Sequence, residues 1–156
     1  MLLVVLLLQS CGRQEANSGC SLSLDYYKTL GTASYRVDSR VVRESIRRII
    51  KSDADSMVAD KQAKSYYLKG NSFVWIDRLG VDSRADTLLA YLRTVEADGL
   101  SANRFCVGLI EADLNRMRTL DFDSCGNDIN HVAGRLEYRL TKAFLRLPGY
   151  RGRRYS

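Results

Sequence analysis

The strongest constraint on the fold of this chain is a stripe of apolar residues near its C-terminus. Over residues 128–147 the apolar positions recur at intervals of three and four, which places side chains on one face of an α-helix. The stripe consists of Ile129, Val132, Ala133, Leu136, Leu140, Ala143 and Phe144. We predict a long helix over 128–147, capped by Asn127 and ended by Pro148-Gly149, in a domain of three or four helices that share one core.

Three further segments have helical periodicity, over 40–51, 83–98 and 107–118. Asp38-Ser39 is the predicted cap of the first, Ser83 opens a capping-box spacing for the second, and Gly99 ends the second at its C′ position. The residues expected to face the core are Val42, Ile46, Ile49 and Ile50, then Leu88, Leu89, Leu92 and Val95, then Leu109, Ile110, Leu114 and Met117. Arg43, Arg47 and Arg48 lie opposite the first apolar face, as on a solvated helix surface.

The segment between the first two helices has a different character. Residues 52–64 are polar and predict a loop or a weak helix. Residues 66–68 and 73–76 are aromatic and β-branched runs around 69–72, which favours a short β-hairpin. The predicted fold is therefore mainly α, a helical bundle-like scaffold over 35–148 with a short β-hairpin.

The N-terminus has the pattern of a targeting signal. The apolar run over 2–8 is too short to cross a hydrocarbon core of about 30 Å, but it matches a secretory signal segment. Leu8-Gln9-Ser10-Cys11 follows and resembles a bacterial lipobox, although Gln9 is larger than usual there. The resemblance implies a lipoprotein signal peptide over 1–10, lipid attachment at Cys11 and a location in the cell envelope, facing the periplasm. The polar stretch over 11–34 is the predicted flexible tether; a buried N-terminal strand with an incidental cysteine is the alternative.

The chain is basic, but part of the excess lies at its end. There are 24 Lys and Arg against 18 Asp and Glu, a net charge of +6. Arg151, Arg153 and Arg154 supply half of that excess, in a predicted basic irregular tail over 149–156. No run of basic residues is interleaved with aromatic ones, so the sequence does not favour nucleic acid as a partner.

The sequence contains no strong catalytic or metal-binding motif. Its four cysteines form no CxxC pair, and a predicted helix of about 20 Å separates Cys106 from Cys125, beyond the roughly 7 Å that a disulfide allows. We expect Cys106 to be a small buried residue, and the pairing of Cys20, Cys106 and Cys125 stays open. His131, the single histidine, is expected on a helix surface or partly buried, without a motif that would make it the base of a cysteine nucleophile. The carboxylates at 121, 123 and 128 lack the spacing of a calcium loop. We therefore predict no catalytic residue, cofactor or metal.

Between 67 and 144 several short motifs occur in a distinctive order. They are Trp75-Ile76-Asp77-x-x-Gly80, Thr87-Leu88-Leu89-x-x-Leu92, Asp98-Gly99-Leu100-Ser101 with Phe105, and Leu140-Thr141-Lys142-Ala143-Phe144. In these residues the chain resembles the N-terminal scaffold region of long periplasmic murein L,D-transpeptidases of the YkuD type, most of all their Bacteroidetes branch. That family exchanges peptide cross-links in peptidoglycan.

The resemblance implies a scaffold without its catalytic domain. The family's nucleophile is a cysteine in a Ser-His-Gly-Cys type motif of a C-terminal domain, and no residue here matches it. The expected partners are peptidoglycan or the missing catalytic domain, with the membrane contacted through the lipid. The change in composition after Phe144 indicates a truncated or frame-shifted end, which would leave part of the long apolar stripe uncovered. The alternative is a stand-alone small envelope lipoprotein that binds peptidoglycan or envelope proteins through a helical surface.

Overall fold

The computed structural model describes residues 37–77, 80–123 and 127–151, with the backbone alone for 148–151. Five α-helices, one 3₁₀ turn and one pair of antiparallel strands occur in these ranges. The elements are α1 (Ser39–Ser52), α2 (Val58–Leu68), β1 (Ile76–Asp77), β2 (Gly80–Val81), α3 (Arg84–Leu92), the 3₁₀ turn (Ala102–Phe105), α4 (Val107–Thr119) and α5 (Ile129–Arg151). The prediction of a mainly α fold with a short antiparallel pair is confirmed.

Helix α5 is the centre of the core, packed against α1, α2 and α4. Six of the seven predicted stripe residues are buried, while Phe144 is 51% exposed and covers the Trp75 ring edge-on at a centroid distance of 5.9 Å. The expectation of an uncovered stripe is therefore wrong for the described residues, because α1, α2 and α4 bury it. Leu109 is also exposed, contrary to its predicted inward position.

Both ends of α5 differ from the prediction. Asp128, not Asn127, caps the helix, since its Oδ1 accepts from the backbone N–H groups of Asn130 at 3.0 Å and His131 at 3.2 Å. At the other end the helical backbone continues through Pro148 to Arg151, so the predicted stop at Pro148-Gly149 is wrong. The irregular backbone predicted for the tail is also wrong over 149–151. By then the helix has several turns of established hydrogen bonds, against which one missing N–H donor is a local loss.

The predicted hairpin is wrong in position. Residues 58–68 form α2, a regular helix that includes Tyr66 and Tyr67, because Tyr67 is held in the core by contacts distant in sequence. The actual pair lies later, with Ile76 opposite Val81 and Asp77 opposite Gly80. Gly80 has φ +137°, a conformation that favours glycine, and its N–H donates to the Asp77 carboxylate at 3.0 Å.

The predicted cap and the predicted end of the helix over 83–98 are wrong, whereas the C′ position of Gly99 is confirmed. Ser83 makes no side-chain cap; the Asp82 carboxylate accepts from the Arg84 N–H at 2.8 Å instead. The regular helix α3 ends at Leu92, and tight turns follow. Gly99 does lie at a C′ position, with φ +74° and the paired hydrogen bonds of a Schellman motif, Gly99 N–H to Glu96 O and Leu100 N–H to Val95 O.

The predicted α1 and α4 are confirmed to within a residue or two at each end. Asp38 caps α1, and its Oδ1 accepts from the Arg40 N–H at 2.8 Å. Val42 and Ile46 are buried, as are Ile110, Leu114 and Met117 of α4. These helices therefore present the predicted faces to the core, apart from Leu109.

Helices α1 and α5 approach each other closely at Gly134. A Cβ added there would lie 3.0 Å from the Ser45 Cβ and Oγ and 3.3 Å from the Val42 carbonyl oxygen. We expect Gly134→Leu to lower the free energy of unfolding by about 1–3 kcal/mol, because the larger side chain forces the two helices apart. The measurement is urea unfolding followed by circular dichroism.

The matched control is Gly108→Ala in α4, where an added Cβ meets nothing within 4 Å. That change should leave stability unchanged or raise it by up to about 1 kcal/mol, because alanine is the better helix former. Equal losses at both positions would show that the contact between α1 and α5 is not tight.

Candidate functional site

Helix α5 buries four polar or charged side chains beside its apolar stripe. Glu137, Thr141, Lys142 and Arg146 are each no more than 8% exposed. Charged groups are rarely buried to this extent unless they are paired. Their partners lie on α2, in the loops before and after it and in the 3₁₀ turn, in two clusters on different sides of the helix.

The Glu137 cluster joins α5 to the end of α2 and the segment leading to β1. The carboxylate of Glu137 accepts from the Tyr67 hydroxyl at 2.6 Å and from the backbone N–H groups of Val74 at 2.6 Å and Trp75 at 2.9 Å. The Thr141 hydroxyl lies 2.6 Å from the Tyr67 hydroxyl and accepts from the Trp75 indole N–H at 2.9 Å. One carboxylate and one hydroxyl thus satisfy two buried aromatic residues and two backbone donors.

Burial dominates the protonation behaviour of this cluster. It raises the pKa of the Glu137 carboxyl above its usual value, although the hydrogen bonds from Tyr67 and from the backbone act in the opposite direction. Burial, together with the charge of Glu137, also raises the pKa of the Tyr67 hydroxyl, which therefore stays a donor at neutral pH. The hydrogen bonds of the cluster join α5 to α2 and to the segment before β1.

The acid–base cluster occupies the other side of α5 and holds the loop between α1 and α2. The Lys142 ammonium donates to the carboxylates of Asp53 and Asp55, both at 2.7 Å. The Tyr138 hydroxyl donates to Asp53 at 2.7 Å, and the Lys64 ammonium donates to the backbone carbonyls of Asp53 at 2.6 Å and Asp55 at 2.7 Å. The loop is therefore bound through both its side chains and its backbone.

Arg146 extends the acid–base cluster into the interior. Its Nε donates to Asp60 at 2.8 Å, its Nη2 donates to Asp55 at 2.7 Å, and its Nη1 donates to the Arg104 carbonyl. Asp60 is fully buried, and its other oxygen accepts from the Met57 N–H at 3.0 Å, at the start of α2. One guanidinium thus joins α5, α2, the α1–α2 loop and the 3₁₀ turn.

Two carboxylates of the acid–base cluster are more acidic than usual. Burial opposes the ionisation of Asp53, but hydrogen bonds from Lys142 and Tyr138 outweigh it and hold the pKa of Asp53 below its usual value of 3.8. The hydrogen bond from Lys142 likewise lowers the pKa of Asp55, with burial in opposition and Arg146 in support. Both groups therefore favour the folded state while they are ionised.

This predicts a loss of stability in acid. Because the folded-state pKa values are depressed, the contribution of Asp53 and Asp55 is complete above their usual pKa of 3.8 and is lost as the pH falls through the lower folded values. We expect the urea midpoint to drop less between pH 6 and pH 3 in Lys142→Met than in wild type. An equal drop in the two proteins would contradict the role given to Lys142.

A third buried carboxylate joins α4 to α5. Asp113 of α4 accepts from Arg135 at 2.8 Å and from Arg139 at 2.6 Å, and Arg135 also donates to the Asn127 side chain at 2.9 Å. Together the three sets of contacts bind α5 to α2, to the α1–α2 loop, to the segment before β1, to the 3₁₀ turn and to α4.

A shallow groove of about 250 Å³ lies beside the acid–base cluster. Ile49, Leu109, Ala143 and Lys142 are among its lining residues, together with Cys106, which is half-buried rather than buried as predicted. His131 is not among the residues that line the groove.

His131 and the acidic residues near it have structural partners. His131 Nδ1 contacts the Asp128 carboxylate, and its Nε2 lies 3.2 Å from Arg48, a donor, so the proton is assigned to Nδ1. Asp123 accepts from the Asn127 side chain at 2.6 Å. In the described ranges no three His, Cys, Asp or Glu residues form a group suited to a metal ion. Nor does any helix there have the length and apolarity to cross a membrane.

The family-like motifs of the sequence meet in this structure as packing elements. Trp75 and Thr141, from the first and last motifs, are hydrogen-bonded to each other. Gly99 forms the turn after α3, and Phe105 is 1% exposed. The predicted lipid site, Cys11, lies outside the described residues, as do Cys20 and Cys125.

The sequence profile that describes the Scaffold domain matches residues 60–149, more than half of the chain. The chain belongs to the Scaffold domain family. No curated protein and no solved structure matches it. The matched span of this scaffold domain runs from Asp60 of α2 through the greater part of α5, and so includes Glu137, Lys142 and Arg146.

Proposed function

We propose that this scaffold domain is the non-catalytic N-terminal part of an L,D-transpeptidase that forms peptide cross-links in peptidoglycan during cell-wall biogenesis. The observation that carries the proposal is the overlap of two findings. The Scaffold family match covers 60–149, and the residues that resemble the transpeptidase scaffold lie within 67–144. The function of such a part is to position a separate catalytic domain on its substrate.

The buried contacts of α5 support a positioning role. Glu137, Lys142 and Arg146 all use their polar atoms on neighbouring elements of the same chain. Such groups, satisfied by partners far apart in sequence, make a fold rigid and specific. Rigidity is what a frame for another domain needs, because catalysis is sensitive to small displacements of the reacting groups.

The proposal places the domain in the envelope, attached by lipid at Cys11 and facing the periplasm. Lipid on this cysteine would hold the scaffold domain at the membrane beside the cell wall. A single acyl chain binds bilayers only marginally, so stable attachment requires more than one chain.

The test is mass spectrometry on the membrane fraction of the source bacterium. We expect an N-terminal peptide with lipid on Cys11, and peptides that continue past Ser156 into a domain with a Ser-His-Gly-Cys motif. A lipidated product that ends at Ser156 would instead support the stand-alone envelope lipoprotein. An unmodified N-terminus that retains residues 1–10 would contradict the envelope location.

A further inference from the structure

Helix α1 presents a largely basic surface to solvent, interrupted by the exposed Glu44, which lies between Arg40 and Arg47 on the same side of the helix. The helix carries five basic residues and one acidic residue. Arg40, Arg47 and Lys51 are exposed and follow one line along the helix, at i, i+7 and i+11. Arg43 and Arg48 flank that line on either side. We call these five residues the α1 basic face.

Among the described residues the charges of the α1 basic face have no ion-pair partner, and the neighbouring Glu44 forms no ion pair with them. Within the described residues, no carboxylate oxygen lies within the 4.0 Å of an ion pair from any of the five. Arg43 donates to two backbone carbonyls, and Arg48 contacts a histidine ring. Three exposed arginines on or beside other helices do have acidic partners: Arg84 with Asp82, Arg93 with Glu111, and Arg118 with Asp86.

The opposite side of α1 holds this face in a defined orientation. Val42 and Ile46 are buried against the core, and Ser45 meets α5 at Gly134. Arg40 and Lys51 are eleven residues apart on the helix, so the face extends over about 16 Å. It lies N-terminal to the matched span of 60–149, so it is not part of what defines the family.

We propose that the α1 basic face docks this domain flat on a bilayer rich in anionic phospholipid. The inference rests on the lipid attachment at Cys11 proposed above. Ser39, the start of α1, follows Cys11 by 28 residues, so even a fully extended connection could not place it more than about 100 Å from the attached lipid. Covalent attachment to the membrane raises the effective concentration of the face at the bilayer.

The composition of the α1 basic face favours lipid headgroups over nucleic acid. None of its five side chains is aromatic, and the neighbouring Phe73 ring is covered by the Arg43 guanidinium at 4.8 Å, so a base would have to displace Arg43 to stack there. The face also contains no apolar side chain that would enter the acyl region, so binding depends on charge and weakens as salt is added.

The test measures binding of the full chain to vesicles of phosphatidylglycerol and phosphatidylcholine by co-sedimentation. The variant combines Arg40→Gln, Arg47→Gln and Lys51→Gln, which keep helix propensity and remove three charges. We expect the partition coefficient to fall about a hundredfold, from about fivefold per charge. Wild-type binding should also weaken when NaCl is raised from 0.1 to 0.5 M.

The matched control combines Arg84→Gln, Arg93→Gln and Arg118→Gln, which lowers the net charge by the same three units at exposed, ion-paired positions. It should lose much less binding.

Equal losses in the two triple variants, or equal binding of wild type to pure phosphatidylcholine vesicles, would overturn the proposal. Tighter wild-type binding to a DNA duplex, abolished by the α1 variant, would overturn the choice of lipid. Mass spectrometry of Cys11 tests the lipid attachment separately, so failure of either idea can be recognised.

Discussion

Glu137→Ala lowers the free energy of unfolding of this domain by about 2–6 kcal/mol, because two buried backbone donors lose their acceptor at about 1–3 kcal/mol each. Those donors are the N–H groups of Val74 and Trp75, and the Tyr67 hydroxyl loses one of its two partners. A natural domain has only about 5–15 kcal/mol in total, so the change removes a large share of the stability. Urea unfolding followed by tryptophan fluorescence measures it, and Trp75 is the only tryptophan in the chain.

The control for Glu137 is Glu111→Ala. Glu111 pairs with Arg93 on the surface, and both side chains are about half exposed. Exposed ion pairs contribute about 0–1 kcal/mol, so this variant should stay close to wild type. A loss below 1 kcal/mol in Glu137→Ala would mean that water replaces the carboxylate without cost.

Arg146→Met should cost about 3–5 kcal/mol, because it leaves a buried charge without its main partner. The buried charge is the carboxylate of Asp60, which is fully shielded from solvent. Another cation, the Lys142 ammonium, lies 4.0 Å from this carboxylate. Methionine retains most of the length and apolar contact of the arginine side chain. The loss therefore reports the ion pair rather than a cavity, and chemical unfolding measures it.

Two comparisons test the interpretation of Arg146. Arg118→Met breaks a surface ion pair with Asp86 and should cost no more than about 1 kcal/mol. The double variant Asp60→Asn with Arg146→Met should be more stable than the sum of the single losses predicts, because the buried charge is gone. Strict additivity would show that the two side chains act independently.

The central helix was predictable from sequence because its signal is local. The spacing of Val132, Leu136 and Leu140 alone determines which face of α5 is buried, and no other element is needed to recognise it. The role of Gly99 was predictable for the same reason. A glycine directly after an apolar helical run commonly adopts the positive φ of a C′ residue, as Gly99 does here. Asp38 was likewise identified as the cap of α1 from its position alone.

Helix α2 was missed because tertiary contacts override its local preferences. Tyr66 and Tyr67 have high strand propensity, but the Tyr67 hydroxyl is held by Glu137 and Thr141, about 70 residues later. The N-terminus of α2 is stabilised by Asp60, whose carboxylate pairs with Arg146. Neither contact has a signature in the local sequence.

The charged residues of the two clusters were missed for the same reason. Lys142 and Arg146 look like ordinary members of the polar face of a long helix. Their carboxylate partners are 86 to 91 positions earlier in the chain. The available signal was the Leu140-Thr141-Lys142-Ala143-Phe144 motif, whose Thr141 and Lys142 take part in the two clusters.

The most direct test of the proposed role is muropeptide analysis of the organism that carries this gene, in a strain from which the L,D-transpeptidases encoded elsewhere have been deleted. The chromosomal gene would carry either Glu137→Ala or its surface control Glu111→Ala, with protein levels compared by immunoblot. We expect L,D-cross-linked muropeptides to fall severalfold with Glu137→Ala and to stay at the wild-type level with Glu111→Ala. An unchanged cross-link fraction after deletion of residues 60–149 would contradict the claim that this domain positions a transpeptidase.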